Sequence, residues 1–390
     1  MKSTALRFAA VTLLMAGGLR SVQGQTARPI NVVTTAVPFL RISPDARAGG
    51  MGDLGIATTP DASSSYFNLG KVPFNELKTG LNLTYTPWLK RLVNDVYLAS
   101  LAAYNKLDDN SAISASLRYF SLGQIQFTDN LGNPLQSFNP REFGIDVGYS
   151  RKLGENTGFG VGLKYIYSNL AGGSVGGNTY KAGTSVAGDL GFYHHSLSEA
   201  GQGWAFGAAL TNLGAKISYT DNADQRDFIP ANLGVGTTYT SVLDESNKVM
   251  FGIDINKLLV PTPPVNANGT IDPDALAQYR QKSVVSSWFS SFGDAPGGFG
   301  EELKEFQVSA GAEYTYANQF SLRAGYFYEN PTKGNRRYFT TGVGLKYNVF
   351  GLNFSYLIPT GSGINQNPLA NTLRFSLVFD LTGENSGSGQ

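Results

Sequence analysis

The chain has 390 residues, 15% of them charged, with a formal net charge of +1, 12% aromatic residues, 47 glycines and no cysteine. The near-neutral balance removes any global electrostatic case for nucleic acid as a partner, and the missing cysteines exclude disulfides, thiolate metal sites and thiol catalysis. Charge is scarce against the roughly 25% of soluble domains, which with abundant Gly, Tyr and Phe points to a β protein whose strands do not all face water.

The N-terminus has the order of a secretory signal. Lys2 and Arg7 supply the positive end, and residues 8–19 form an apolar stretch, too short for the roughly 20 residues of a membrane-spanning helix. Val22-Gln23-Gly24 then offers a cleavage site before Gln25, with no Cys after it to make a lipoprotein. Residues 1–24 are therefore expected to be a signal peptide that exports the chain through the inner membrane. No later apolar run approaches spanning length. A membrane protein with this sequence has to be a closed barrel, the other structure that satisfies its own backbone in lipid.

Residues 25–78 show no alternation and are rich in Gly, Ala, Ser, Asp and Pro. The segment is too long for a linker and precedes the strands, where an N-terminal plug or hatch would lie. Gly50-Met51-Gly52-Asp53-Leu54-Gly55 within it matches the dinucleotide pattern G-x-G-x-x-G. That pattern needs a strand before it and a helix after it. Here Pro44-Asp45-Ala46-Arg47 precedes it and Thr58-Thr59-Pro60 follows. A compact turn inside the plug is the better reading, and no cofactor is expected.

Residues 79–382 read as strand, turn, strand with period two. Ile113, Ala115, Leu117 and Tyr119 alternate with Ser114, Ser116, Arg118 and Phe120; Phe159, Val161, Leu163 and Tyr165 alternate with Gly160, Gly162 and Lys164. One face is apolar and aromatic, the other Gly, Ser, Thr and charge, as lipid outside a barrel requires. About 14 such segments of about ten residues occur, an even number within the bacterial range. They begin near Gly80, Asp95, Ala112, Glu142, Thr157, Ser185, Trp204, Asn232, Lys248, Glu305, Phe320, Tyr338, Phe350 and Asn371. The fold class expected is all-β, an antiparallel transmembrane β-barrel of about 14 strands with an N-terminal plug. A polar tail, 383–390, ends the chain.

The connections alternate in length. Residues 105–110, 153–156, 195–203, 242–247, 317–319 and 348–349 are brief; 122–141, 169–184, 213–231, 257–304 and 359–370 are long. Short periplasmic turns alternating with longer extracellular loops are a barrel property; a soluble β-sandwich shares the strands but has no reason for this alternation. The longest connection opens with Pro261, Pro263 and Pro264. A helix is expected over 274–287, started by Asp272-Pro273. Trp288, Phe289, Phe292 and Phe299 follow; large apolar side chains in an exposed loop either pack on the barrel's own rim or mark a candidate partner-binding surface.

Charges on the inward face are of both signs. Antiparallel register brings Arg118 near Asp146, Lys164 near Asp189 and Glu313 near Arg323, as candidate ion pairs of a filled lumen or as charges that hydrate a water-filled channel; a ring of one sign would instead suit an ion-selective pore. Tyr85, Trp88, Tyr104, Tyr167, Trp204 and Tyr239 near strand ends suit interfacial girdles, while any one of them singly could be core. Lys90-Arg91 and Arg336-Arg337 read as solvated loop tips within reach of lipopolysaccharide phosphates. Gly172-Gly173-Ser174-Val175-Gly176 matches G-x-S-x-G, but a loop follows it and the two histidines, His194 and His195, sit at the far end of the next strand. A nucleophile elbow needs a helix there and a nearby histidine, so no enzyme is expected.

The run Val37-Pro38-Phe39-Leu40-Arg41-Ile42-Ser43-Pro44-Asp45-Ala46-Arg47-Ala48-Gly49-Gly50-Met51-Gly52-Asp53 resembles the N-terminal signature of the PorV (LptO) family, outer-membrane barrels of the type IX secretion system. Thr86-Pro87-Trp88-Leu89 and Tyr119-Phe120-Ser121-Leu122-Gly123 look like its first strands. The resemblance implies a FadL-like barrel of 14 strands with a hatch. Two departures stand out. The family's Asn-Pro-Ala element reads Asn68-Leu69-Gly70-Lys71 here, and the last strand ends near Asp380-Leu381 rather than on an aromatic residue. The resemblance implies a non-enzymatic shuttle that takes cargo carrying a C-terminal signal domain from the translocon barrel to a surface attachment complex with a sortase-like peptidase. The other class consistent with a plugged barrel is a FadL-type transporter of hydrophobic small molecules.

Overall fold

Period-two sequence becomes strand here because alternate side chains meet different surroundings, lipid on one face and the lumen on the other. The computed structural model describes residues 30–381, apart from 89–92, 129–130, 176–177, 223–224, 267–268 and 361–371. The segment 1–24, the tail 383–390 and Lys90-Arg91 lie outside the described residues. Fourteen strands form one closed barrel. They are β1 (Thr79–Pro87), β2 (Val96–Lys106), β3 (Ser111–Leu122), β4 (Arg141–Lys152), β5 (Thr157–Asn169), β6 (Gly183–Leu197), β7 (Gly203–Gly214), β8 (Asn232–Val242), β9 (Asn247–Leu258), β10 (Gln307–Tyr316), β11 (Phe320–Tyr328), β12 (Arg337–Tyr347), β13 (Phe350–Pro359) and β14 (Leu373–Leu381). Each pairs antiparallel with its sequence neighbours, and β1 also pairs with β14, from Thr79 opposite Leu381 to Tyr85 opposite Phe375. Closure leaves no unpaired edge strand in the wall.

The faces divide as the alternation predicts. Leu83, Leu101, Ile113, Leu117, Val147, Val161 and Leu163 are exposed on the outside, while Asn82, Thr84, Ser114, Ser150, Ser309 and Ser376 are buried on the inside. Tyrosines ladder across the outer face, Tyr85 on Tyr97 at 5.5 Å and Tyr97 on Tyr119 at 6.3 Å. Among the described residues no helix is long and apolar enough to cross a membrane.

One rim carries the short turns 107–110, 153–156, 198–202, 243–246, 317–319 and 348–349; the other carries 88–95, 123–140, 170–182, 215–231, 259–306, 329–336 and 360–372. The helix expected over 274–287 is two. Asp272 caps the first, Pro273–Gln281, by accepting from Asp274 and Ala275 N–H groups. Lys282 and Ser283 then turn extended, at ψ 137° and 138°, before the second helix, Val284–Ser290. Two of the expected girdle residues also point the other way. Tyr104 is buried with Ala62, Val72 and Ala112, in the space left by Gly80 opposite it. Trp88 packs edge-on against buried Phe120 at 5.7 Å.

Candidate functional site

Between residues 45 and 74 the N-terminal segment contacts the inward side of the strands through Arg47, Asp53, Gly55 and Asn68. Asp45 accepts from Ala48 N–H at 2.9 Å and caps the one-turn helix Ala46–Gly49. The chain then turns through Gly52 and Asp53, at φ 72° and 64°. A Cβ on Gly52 would stand 2.7 Å from the Tyr326 carbonyl oxygen, so this turn needs glycine both for its left-handed backbone and for its approach to β11. The glycines that resemble a dinucleotide motif are a packing motif. Asn68 is a second anchor. Its amide donates to Ile56 O at 3.0 Å and Phe192 O at 2.7 Å, and its oxygen accepts from Gly70 N–H at 3.0 Å. A Cβ at Gly70 would lie 2.8 Å from Tyr193 N and 2.9 Å from Gly158 O. The anchoring Asn of the family element is thus kept, and the residue two places on is held against strand backbone.

The charges expected inside are in contact with one another and with this segment. Arg118 lies 3.3 Å from Asp146, and Lys164 lies 3.1 Å from Asp146 and 3.0 Å from Asp189. Arg323 Nε donates to Glu313 at 2.6 Å, and Arg47 donates to the same carboxylate at 2.7 and 3.0 Å. Arg47 also reaches Asp61 at 2.7 Å. Arg374 meets Asp53 at 2.5 Å, and Asp254 accepts from Gly55 and Ile56 N–H groups at 2.7 and 2.9 Å. Arg47, Asp53 and Asp61 have no signal in the strand register, because they lie in the segment before the strands. Arg336 is no solvated tip: it donates to Glu329 at 2.8 and 2.9 Å, and Arg41 lies 3.4 Å from the same carboxylate.

Electrostatics in the segment follow from burial and partners. The buried charge of Arg47 is met by the carboxylates of both Glu313 and Asp61. Lys71 is buried and donates to Gly55 O at 2.6 Å and Thr58 Oγ1 at 2.9 Å. A cavity of about 120 Å³ remains in the lumen, lined in part by Asp53, Arg118, Lys164, Asp254, Arg336 and Arg374. Leu40, Ile42, Ile56, Phe67 and Phe327 line it as well. Among the described residues no group of three or more acidic or histidine side chains is placed to hold a metal ion.

Above the lumen, loop 259–306 is fastened by buried ions. Lys257 meets Glu302 at 2.6 Å and Glu305 at 2.8 Å; Lys333 meets Glu305 at 2.9 Å and Glu301 at 2.5 Å. Thr262 donates to Glu305 at 2.8 Å. Of the four aromatics singled out in this loop, Trp288 is half-buried and Phe292 lies 5.6 Å from Lys257 Nζ. Phe289 and Phe299 are 75% and 76% exposed.

Comparison with known proteins now bears on this geometry. Residues 25–265 match the family described as "Type IX secretion system protein PorV". No curated protein matches the sequence. Among solved structures, the P. putida toluene transporter TodX is 12% identical, with 86% of this chain and 98% of that chain covered and a TM-score of 0.50. The deltaS2 mutant of the TodX monoaromatic hydrocarbon channel is 14% identical, with 86% and 96% covered and a TM-score of 0.50. A Pseudomonas aeruginosa FadL homologue is 12% identical, with 90% and 99% covered and a TM-score of 0.48. At these identities the likeness is one of fold, a FadL-like barrel. The family match spans more than half of the sequence, and the chain belongs to the PorV family of type IX secretion system proteins, outer-membrane β-barrels.

Proposed function

We propose that this protein binds cargo carrying a C-terminal signal domain at its long-loop rim and hands it from the translocon barrel to the sortase-like surface attachment complex. In this reading residues 1–24 are a cleaved signal, 25–78 a plug, 79–382 the barrel and 383–390 a polar tail; lipopolysaccharide and outer-membrane lipid surround it, and the long loops face outward. The observation that carries the reading is the exposure of Phe289 and Phe299 in loop 259–306. Leaving such side chains in water forfeits roughly 1.5–3 kcal/mol for each, a gain open to a partner that covers them. The alternative, FadL-type transport of hydrophobic molecules, finds less support in a lumen crossed by the ion pairs of Arg47, Arg118, Lys164, Arg323 and Arg374.

Changing Trp288, Phe289, Phe292 and Phe299 together to Ser is expected to leave barrel assembly intact while surface display of signal-domain cargo falls and cargo accumulates in the periplasm. Normal secretion in that variant, with reduced uptake of a long-chain fatty acid, would count against the shuttle and for the transporter.

A further inference from the structure

The N-terminal segment touches both rims. At the short-turn rim Lys106 N–H donates to Lys78 O at 2.8 Å, and Phe74 packs on His195 at 5.0 Å. At mid-height Arg47 and Asn68 bond the wall at Glu313 and Phe192. At the long-loop rim Ala36 N–H donates to Phe228 O at 2.9 Å, Asn31 N–H to Thr332 O at 3.1 Å, and the Asn31 amide to Pro263 O at 3.3 Å. Val33 is buried there with Phe228, Leu258, Val260 and Tyr279. These contacts join three loops, 215–231, 259–306 and 329–336, that no strand pairing joins.

We infer that the segment is threaded through the barrel from rim to rim and that residues 30–36 act as a strap, fixing loop 259–306 and adding Ile30 to its partner-facing surface. Ile30 is 58% exposed. A segment that entered and left by the short-turn rim would make none of the Asn31, Val33 and Ala36 contacts. The outward placement of this rim and the role of its aromatics rest on the function proposed above; the threading does not.

The absence of native cysteine makes single-thiol labelling clean. Ile30→Cys is compared in intact and lysed cells with Leu131→Cys, on loop 123–140 and 88% exposed, and with Leu153→Cys, on turn 153–156 and 66% exposed, using a membrane-impermeant maleimide. The thiol at position 30 should follow position 131. If it follows position 153 instead, the threading is overturned. If 30 and 131 are both shielded in intact cells while 153 reacts, threading stands and the outward placement fails. The strap is tested on purified protein with Val33→Ser and the milder Asn31→Ala. Protease should nick loop 259–306 at least several-fold faster in both, while heat-modifiable gel migration shows that the barrel persists. Unchanged nicking in both variants overturns the strap.

Discussion

Glu313 accepts from Arg323 on the neighbouring strand and from Arg47 in the lumen, so one carboxylate joins two wall strands to the N-terminal segment. All three side chains are largely buried. Glu313→Gln keeps the shape and leaves two guanidinium groups facing each other. Removing one partner of a buried pair costs about 3–5 kcal/mol, and a fall of that order is expected in unfolding by denaturant. A charge swap of Glu313 with Arg323 should not be mild either, because it sets the new cation against Arg47. In an Arg47→Ala and Glu313→Ala double-mutant cycle, a coupling under about 0.5 kcal/mol would show these residues to act independently. The Glu313–Arg323 contact is legible in the sequence because both residues flank one short turn, where antiparallel register sets which side chains meet. Arg47 lies 266 positions from Glu313, and no local rule links them.

Among the elements, loop 259–306 is held by ion pairs as well as by the contacts of residues 30–36. Glu305 lies outside the spanning strands. Burial alone would raise its carboxyl, but hydrogen bonds from Lys257 and Lys333 outweigh burial and hold it below the ordinary glutamate value. A carboxylate depressed in the folded state contributes stability that is complete above its unfolded value, about 4.3, and is lost as pH falls through the lower folded value. Nicking of this loop by an acid-active protease should therefore accelerate on acidification below about pH 4. Glu305→Gln should bring fast nicking to neutral pH; a variant as resistant as the parent at pH 7 would mean that the ions do not hold the loop. The strands were readable because period two survives over ten or so residues. The helix break at Lys282-Ser283 is not, since neither residue is a helix breaker by type and Ser283 makes no side-chain cap there. Tyr104 and Trp88 were misplaced because a position near a strand end gives height in the membrane and not face.

Taken whole, the barrel is legible from two independent periods: alternation within strands gives about 14 of them, and alternation of loop lengths distinguishes a barrel from a sandwich; the closed barrel has 14 strands. The path of residues 30–78 is not legible, because contacts made at unrelated positions on many strands leave no periodic trace. Its filling of the lumen has a direct electrical consequence. The full chain should be silent in planar bilayers, whereas a chain lacking 30–78 should open steps of conductance with little preference for ion sign, since inward charges of both signs remain on the strands. Conductance of the same size from the full chain would show that the segment does not block the lumen.

The seam between β1 and β14 carries a kinetic consequence. Residues 30–78 continue directly into β1, so the wall has to wrap a segment already inside it; once Thr79–Tyr85 has zipped to Phe375–Leu381, a chain folded to that bulk has no entry. Order of events then decides the product. A detached peptide of residues 30–78 present while the truncated barrel refolds should yield closed, silent channels. The same peptide added after closure should leave them open, and equal rescue in either order would mean that the seam breathes wide enough to readmit it.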